Sequence, residues 1–302
     1  MRSPVVLLIG LAFGPGCSDD GPAADPYRCI AAGGEACFEL PTDVVGAADA
    51  MGAAAVPILA CDNFEIATSA SPIMFSGHTV DFSAADTYLP AVRVEAFGDL
   101  AFTSKIFDET SDSEGAWAAT ASVPNLAFGR TTAAGQLPIY FLYGRIDIDD
   151  PVQDMFDVQT ATRLQIAASI EVAGDRFLPG KSQVAARALD CFGNRLTNVI
   201  GNIAPASGKN GSRLFEPGVR TYYGLEGALP VLGRRTEVSQ TTSTGVIGFA
   251  NLAPGHHFIQ LWGFPDDASL AQGSLGLELL DEKELIVFDE EAAFLVELNG
   301  RL

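Results

Sequence analysis

The chain has 302 residues, 48% of them hydrophobic and only 19% charged, which gives it enough apolar material for packed cores and excludes wholesale disorder. Its net charge of −20 and pI near 4.3 repel a phosphate backbone, so nucleic acid is excluded as a partner. The 31 Gly and 17 Pro point to many turns and favour an all-β chain.

Near its N-terminal end the sequence has Arg2 and then a short apolar run, Val5 to Phe13. The run is below the ~20 residues that a spanning helix takes. Gly14, Pro15, Gly16 and Cys17 follow. This resembles a bacterial lipoprotein signal: residues 1–16 would be removed, and the Cys17 thiol would carry lipid. The alternative is an ordinary secretory signal, which also takes the chain out of the cytoplasm. Stable membrane anchoring through acyl chains follows from ~0.8 kcal/mol per buried CH₂.

Setting Cys17 aside leaves Cys29, Cys37, Cys61 and Cys191, an even number that suits disulfides in an exported protein. Three pairings are open. The favoured one closes Cys29 to Cys37 around Gly33 and Gly34, and ties Cys61 to Cys191. Residues 17–60, rich in Ala, Gly and Asp, read as a tether and linker holding the small disulfide loop.

A first β-sandwich module is expected over 61–136. Phe75 to Phe82 forms one strand. Leu89 to Phe97 forms the next, with Val92, Val94 and Ala96 on one face and Arg93 and Glu95 on the other. Thr110 to Gly115 is a polar turn before Trp117, and Val123-Pro124 closes the module.

Residues 137–181 read as a connector. It holds a strand at Leu137 to Tyr143, an acidic loop from Asp147 to Asp154, and a short helix over Thr160 to Ile170. Thr160 is the expected cap, and Leu164, Ala167 and Ala168 form the expected apolar stripe.

A second module is expected over 182–302. Val184 to Asp190 is a strand, Phe192 to Asn194 a turn, and Leu196 to Ile200 leads to the next strand; Tyr222 and Tyr223 lie in another. Val246 to Phe249 and Phe258 to Phe264 read as two strands closed into a hairpin by Pro254-Gly255. Phe258, Gln260, Trp262 and Phe264 share one face of the second of these, and Ile259 and Leu261 the other. Leu275 to Leu280, Leu285 to Phe288 and Ala293 to Leu298 read as three further strands.

The two halves repeat an order of strand, turn, strand, polar Gly turn and strand. The second half carries it on Asp190, Gly193, Leu196, Val199, Thr241, Gly245, Phe249, Asn251, Leu252, Pro254, Gly255 and Phe258. A looser version in the first half runs through Asp81, Leu89, Val92, Val94, Thr110, Asp112, Gly115, Trp117 and Pro124. The pattern resembles the carboxypeptidase-regulatory-like, or transthyretin-like, β-sandwich over about half the chain. With the Cys17 signal, the whole looks like surface lipoproteins of the myxobacterial kind. The resemblance implies two tandem Ig-like or transthyretin-like sandwiches joined by a segment with one short helix, acting as accessory or adhesion modules without a reaction.

Candidate chemistry is thin. His256 and His257 are adjacent, and strand alternation sends neighbouring side chains to opposite faces, so one metal rarely takes both. Tyr222, Tyr223, His256 and His257 are the residue types with which intradiol dioxygenases, whose sandwich is related, hold iron, but the spacing here is wrong. The acidic loops Asp108 to Glu114 and Asp147 to Asp154 offer oxygen ligands for Ca²⁺ without an EF-hand order, and the plain reading is solvated turns. A Ser-His-Asp triad would have to use His78, His256 or His257. Trp117, Tyr222, Tyr223 and Trp262 are candidates for a sugar-binding or protein-binding face, though in a sandwich such residues ordinarily belong to the core. No catalytic residue, metal site or cofactor is assigned.

The expectation is a non-enzymatic lipoprotein at the bacterial outer membrane or cell surface. It would be held through its lipid anchor and act on a protein or polysaccharide partner in binding, adhesion or assembly. The alternative is a secreted carbohydrate-active or metal-dependent enzyme whose site escapes motif reading.

Overall fold

The run Ile139 to Leu142 is apolar at every position because both of its sides are covered. Tyr140 and Leu142 enter one core with Val184, Phe249 and Phe294. Ile139 enters another with Ile166 and Ile170. Phe141 packs at the margin of that second core and of a third, built on Phe75 and Trp117. A strand buried on both faces loses the hydrophobic–polar alternation of a half-buried one.

The structure is a computed structural model and describes residues 40–49, 51–59, 66–172, 176–208, 220–224 and 240–299. The expected signal, lipidation site Cys17 and cysteines Cys29, Cys37 and Cys61 lie outside the described residues. In chain order the strands are β1 (Gly46–Ala48), β2 (Ala54–Ala55), β3 (Ile73–Asp81), β4 (Ala84–Tyr88), β5 (Arg93–Phe97), β6 (Lys105–Thr110), β7 (Ala116–Ala121), β8 (Leu126–Thr132), β9 (Ile139–Arg145), β10 (Val152–Gln153), β11 (Val158–Thr160), β12 (Ser182–Leu189), β13 (Arg195–Thr197), β14 (Ile200–Ala204), β15 (Arg220–Tyr223), β16 (Val246–Leu252), β17 (Gly255–Gly263), β18 (Glu278–Val287) and β19 (Ala293–Asn299). Two helices, α1 (Arg163–Val172) and α2 (Asp267–Ala271), complete the described elements with a 3₁₀ turn at Gly273–Gly276. The fold is all-β. Among the described residues no helix is long and apolar enough to cross a membrane.

Among the described residues an 11-stranded sheet runs in the order β2-β1-β13-β12-β19-β9-β8-β5-β6, with β16 also on β12 and β15 on β16. β9 pairs antiparallel with β8 and parallel with β19, and β19 pairs parallel with β12. A strand read from the sequence as part of a connector therefore sits in mid-sheet, and one sheet passes from the first half of the chain to the second.

Two smaller sheets cover this one from opposite sides. β3 with β4, β7, β10 and β11 covers the end formed by β5, β6, β8 and β9, bringing Ile73, Phe75 and Trp117 onto Val94. The antiparallel β14-β17-β18 sheet covers the other side, with Ile203, Ile259 and Leu285 against Ile247, Phe249 and Phe294. The opposed faces follow from β9, where Leu142 joins the core of Val184, Phe249 and Phe294 and its neighbour Phe141 packs against the core built on Phe75 and Trp117.

Pro254-Gly255 does not close a hairpin. β16 pairs with β12 and β15 in the large sheet, whereas β17 pairs with β14 and β18 in the three-stranded one. The corner thus carries the chain from one layer of the sandwich to the other. Asn251 takes a left-handed φ of 65°, where its amide accepts from Leu178 N (2.9 Å) and donates to the Arg176 carbonyl (2.9 Å). Gly255, at φ 142°, completes the reversal.

Two further expectations shift. Leu275 lies in the 3₁₀ turn, and what read as two strands, Leu275 to Leu280 and Leu285 to Phe288, is over Glu278–Val287 the single strand β18. Helix α1 begins later than expected, because Thr160 belongs to β11 and Thr162 is the cap. Thr162 Oγ1 accepts from Gln165 N (3.2 Å), and Gln165 Oε1 accepts from Thr162 N (2.7 Å), a reciprocal capping box. The buried stripe is Ile166 and Ile170, while Leu164 is 78% exposed.

Candidate functional site

The residues that sequence offered for chemistry are separated by the fold. His256 is exposed, with Nδ1 2.9 Å from Glu284 Oε1, and His257 is 4% exposed, with Nε2 2.8 Å from the Ala253 carbonyl. Tyr222 and Tyr223 enter different cores. Gln183 Nε2 donates to the Tyr222 hydroxyl, and Gly201 N donates to that of Tyr223 (3.2 Å). Burial pushes both phenols well above the usual range. His78 stacks on Tyr88 at 4.2 Å between ring centres, with Nδ1 3.5 Å from Asp157 Oδ1. Among the described residues no three His, Cys, Asp or Glu converge as a metal site would require.

Trp117 and Trp262 are core residues. The acidic loops close on themselves: Asp112 Oδ1 accepts from Glu114 N (3.0 Å) and Ala116 N (2.8 Å), and Asp150 Oδ1 accepts from Val152 N (3.0 Å). Each is an Asx-type turn in which the carboxylate replaces a strand partner. Cys191 is disulfide-bonded, and the other four cysteines lie outside the described residues.

A charged cluster, of which strand alternation shows only that Arg93 and Glu95 share a face, gathers where β5, β6 and β8 lie side by side in the large sheet. Glu95, on β5, is 1% exposed. Arg130 reaches it from β8 with Nε and Nη2 at 2.8 and 2.7 Å from Oε2, and Lys105 from β6 with Nζ at 2.7 Å from Oε1. Arg93 Nη2 stands 3.3 Å from Oε1 and also pairs with Asp108, which Lys105 holds at 2.8 Å. The Arg130 guanidinium lies 5.6 Å from the Phe97 ring centre and 6.0 Å from that of Tyr140, within cation–π range of both rings.

Burial works against the charge on Glu95, but Lys105 and Arg130 overcome it and hold the carboxyl below its ordinary range. Asp108 is held lower still, by Arg93 and then Lys105. A carboxylate so saturated with cations is a poor proton acceptor. Its role is to lock three strands, β5, β6 and β8, at one register. The sequence did carry a trace of this: Arg130 interrupts the largely apolar and small strand Leu126–Thr132, and Arg93 and Glu95 share a face by strand alternation.

No protein-family model matches the chain, and no curated protein does. Solved structures similar to it include the TIE protein of Bacillus anthracis, at 10% identity over 76% of this chain with a TM-score of 0.23. A streptococcal ancillary pilin is similar at 13% over 77%, with a TM-score of 0.22. The shaft pilin SpaA of Lactobacillus rhamnosus GG is similar at 10% over 77%, with a TM-score of 0.21, and is itself covered in full. The chain spans 34% of the TIE protein and 63% of the ancillary pilin.

Proposed function

We propose that the chain is a non-catalytic module of the bacterial cell envelope, lipid-anchored through Cys17, that works by binding or adhesion to a protein or polysaccharide. The observation that carries this reading is the use made of its reactive side chains. Tyr222 and Tyr223 are core residues held by hydrogen bonds, His256 faces Glu284, and His257 binds the corner at Ala253. Buried Glu95 is taken up by cations. Export is supported by the apolar run ahead of Cys17, and the disulfide at Cys191 suits an oxidising compartment.

Cys61 is the proposed partner of Cys191. Cys191 N donates to the Ile58 carbonyl at 3.0 Å, which lays the segment before Cys61 alongside Cys191. Disulfide mapping by mass spectrometry on the unreduced protein gives a Cys61–Cys191 peptide; a Cys61 that alkylates without reduction would remove the pairing.

The anchor is tested by fractionating cells that express Cys17→Ser, which is expected to move from the membrane to the soluble fraction. Retention in the membrane would overturn lipid anchoring. The non-catalytic reading is tested by metal analysis of purified protein. Stoichiometric iron or zinc lost in His256→Ala would defeat it.

A further inference from the structure

The first sandwich has a floor of small residues. Ala96 on β5 pairs with Gly129 on β8, and Ala127 on β8 pairs with Gly144 on β9. The alternate positions Phe97, Leu126 and Phe128 turn to the opposite core. Backbone geometry does not demand glycine here. A Cβ added at Gly129 would meet its nearest neighbour at 3.5 Å, and one at Gly144 at 3.8 Å, both ordinary contacts. The missing side chains leave space instead.

That space is a cavity of about 80 Å³, roofed by Phe75, Phe107, Trp117 and Phe156. Protein interiors seldom leave voids larger than a water molecule, and an apolar void offers water too few partners to hold it. Phe107 stacks on Trp117 at 5.9 Å between ring centres, and Phe156 meets Phe75 and Trp117 edge-on at 6.5 and 6.3 Å. Phe156 is 44% exposed, so it forms the wall between the cavity and solvent. Trp117 is 5% exposed, and its indole N–H has no acceptor in the structure.

We propose that this cavity is a binding site for a small uncharged aromatic molecule carrying one hydrogen-bond acceptor. Aromatic walls favour offset or edge-on contact with a further ring. A dry apolar cavity of about 150 Å³ takes benzene, so a single ring is the right scale once Phe156 swings outward. The acceptor would satisfy Trp117. A charged group is excluded by the cost of desolvation in an apolar enclosure. The site stands apart from the envelope reading and survives or fails without it.

The test uses the full chain and three probes, anisole, benzene and benzoate, with two readouts: the thermal midpoint and the indole N–H resonance of Trp117, assigned through Trp262→Phe. Anisole is expected to raise the midpoint and shift the Trp117 resonance, benzene to bind at least tenfold more weakly, and benzoate to do neither. Ala127→Leu fills the floor and should abolish the anisole effect in a folded protein. Should that variant fail to fold, the milder Ala96→Val should weaken binding at least tenfold. No response to anisole, or an undiminished response in the filled variants, would overturn the site. Equal affinity for benzene and anisole would overturn the part given to Trp117.

Discussion

Glu95 and Arg130 stand directly opposite one another on β5 and β8, and two guanidinium nitrogens close on one oxygen of a carboxylate that solvent does not reach. Removing the charge leaves Arg93, Lys105 and Arg130 facing one another. Glu95→Gln is expected to cost about 2 kcal/mol, less than the ~3–5 typical of breaking a fully buried pair, because all three cations can rehydrate. Urea unfolding at pH 7 measures it, and a loss below about 0.5 kcal/mol would mean the cluster is ornamental to stability.

The same cluster sets an acid dependence. The folded-state pKa of Glu95 is depressed, so the folded protein binds fewer protons than the unfolded chain as pH falls through the carboxylate range. Its stabilising contribution is therefore complete above the unfolded value of ~4.3 and is lost on acidification through the lower folded value. Asp108 acts in the same direction, and Asp99, held down to about 2 by Thr103 and Ser104, extends the loss to lower pH. Unfolding free energy measured between pH 7 and pH 3 should fall below about pH 5, and Glu95→Gln should flatten part of that slope. A slope unchanged in the variant would assign it to other groups.

Helix α1 offers a paired test of its cap. Thr162→Ala removes the hydroxyl that takes Gln165 N and should cost about 1 kcal/mol. Thr160→Val deletes a buried hydroxyl with no partner while keeping the shape, and should be neutral or slightly stabilising. Thermal unfolding of the two variants in one buffer gives the comparison. A larger loss from Thr160 would return the cap to that residue.

Gly248 lies against the Tyr222 ring, and a Cβ there would come within 1.9 Å of the ring carbon Cε2. Tyr222 is packed between α1 and the large sheet with Ile139, Ile166 and Ile170, so its ring has no free side to move to. Gly248→Ala should cost about 3 kcal/mol. Gly144→Ala meets only ordinary contact and should stay within about 1 kcal/mol of the parent. Denaturant midpoints of the two variants would separate a steric need from a general intolerance of glycine replacement.

Much of this molecule is local, and local features can be read without a structure. Turn chemistry and alternation place most of the strands, send His256 and His257 to different environments, and put Trp117 and Trp262 in cores, since each depends only on residues a few positions apart. The capping box at Thr162 and Gln165 is of the same kind and stood open to reading.

Pairing between distant strands is different in kind. Nothing near Ile139–Arg145 specifies that it lies parallel to Ala293–Asn299, about 150 residues onward, because that neighbour is chosen by closure of the whole sheet. The destination of the Pro254-Gly255 corner has the same origin: one turn signature serves a hairpin or a crossing between layers, and the core on either side decides. Glu95 is the clearest case. Alternation correctly set it opposite Val94 and beside Arg93, but only the arrival of Lys105 from β6 and Arg130 from β8 made that position a buried one. Sequence determined the strands and the side to which each residue points; tertiary structure decided what waits on that side, because burial depends on partners that the chain brings together only when it folds.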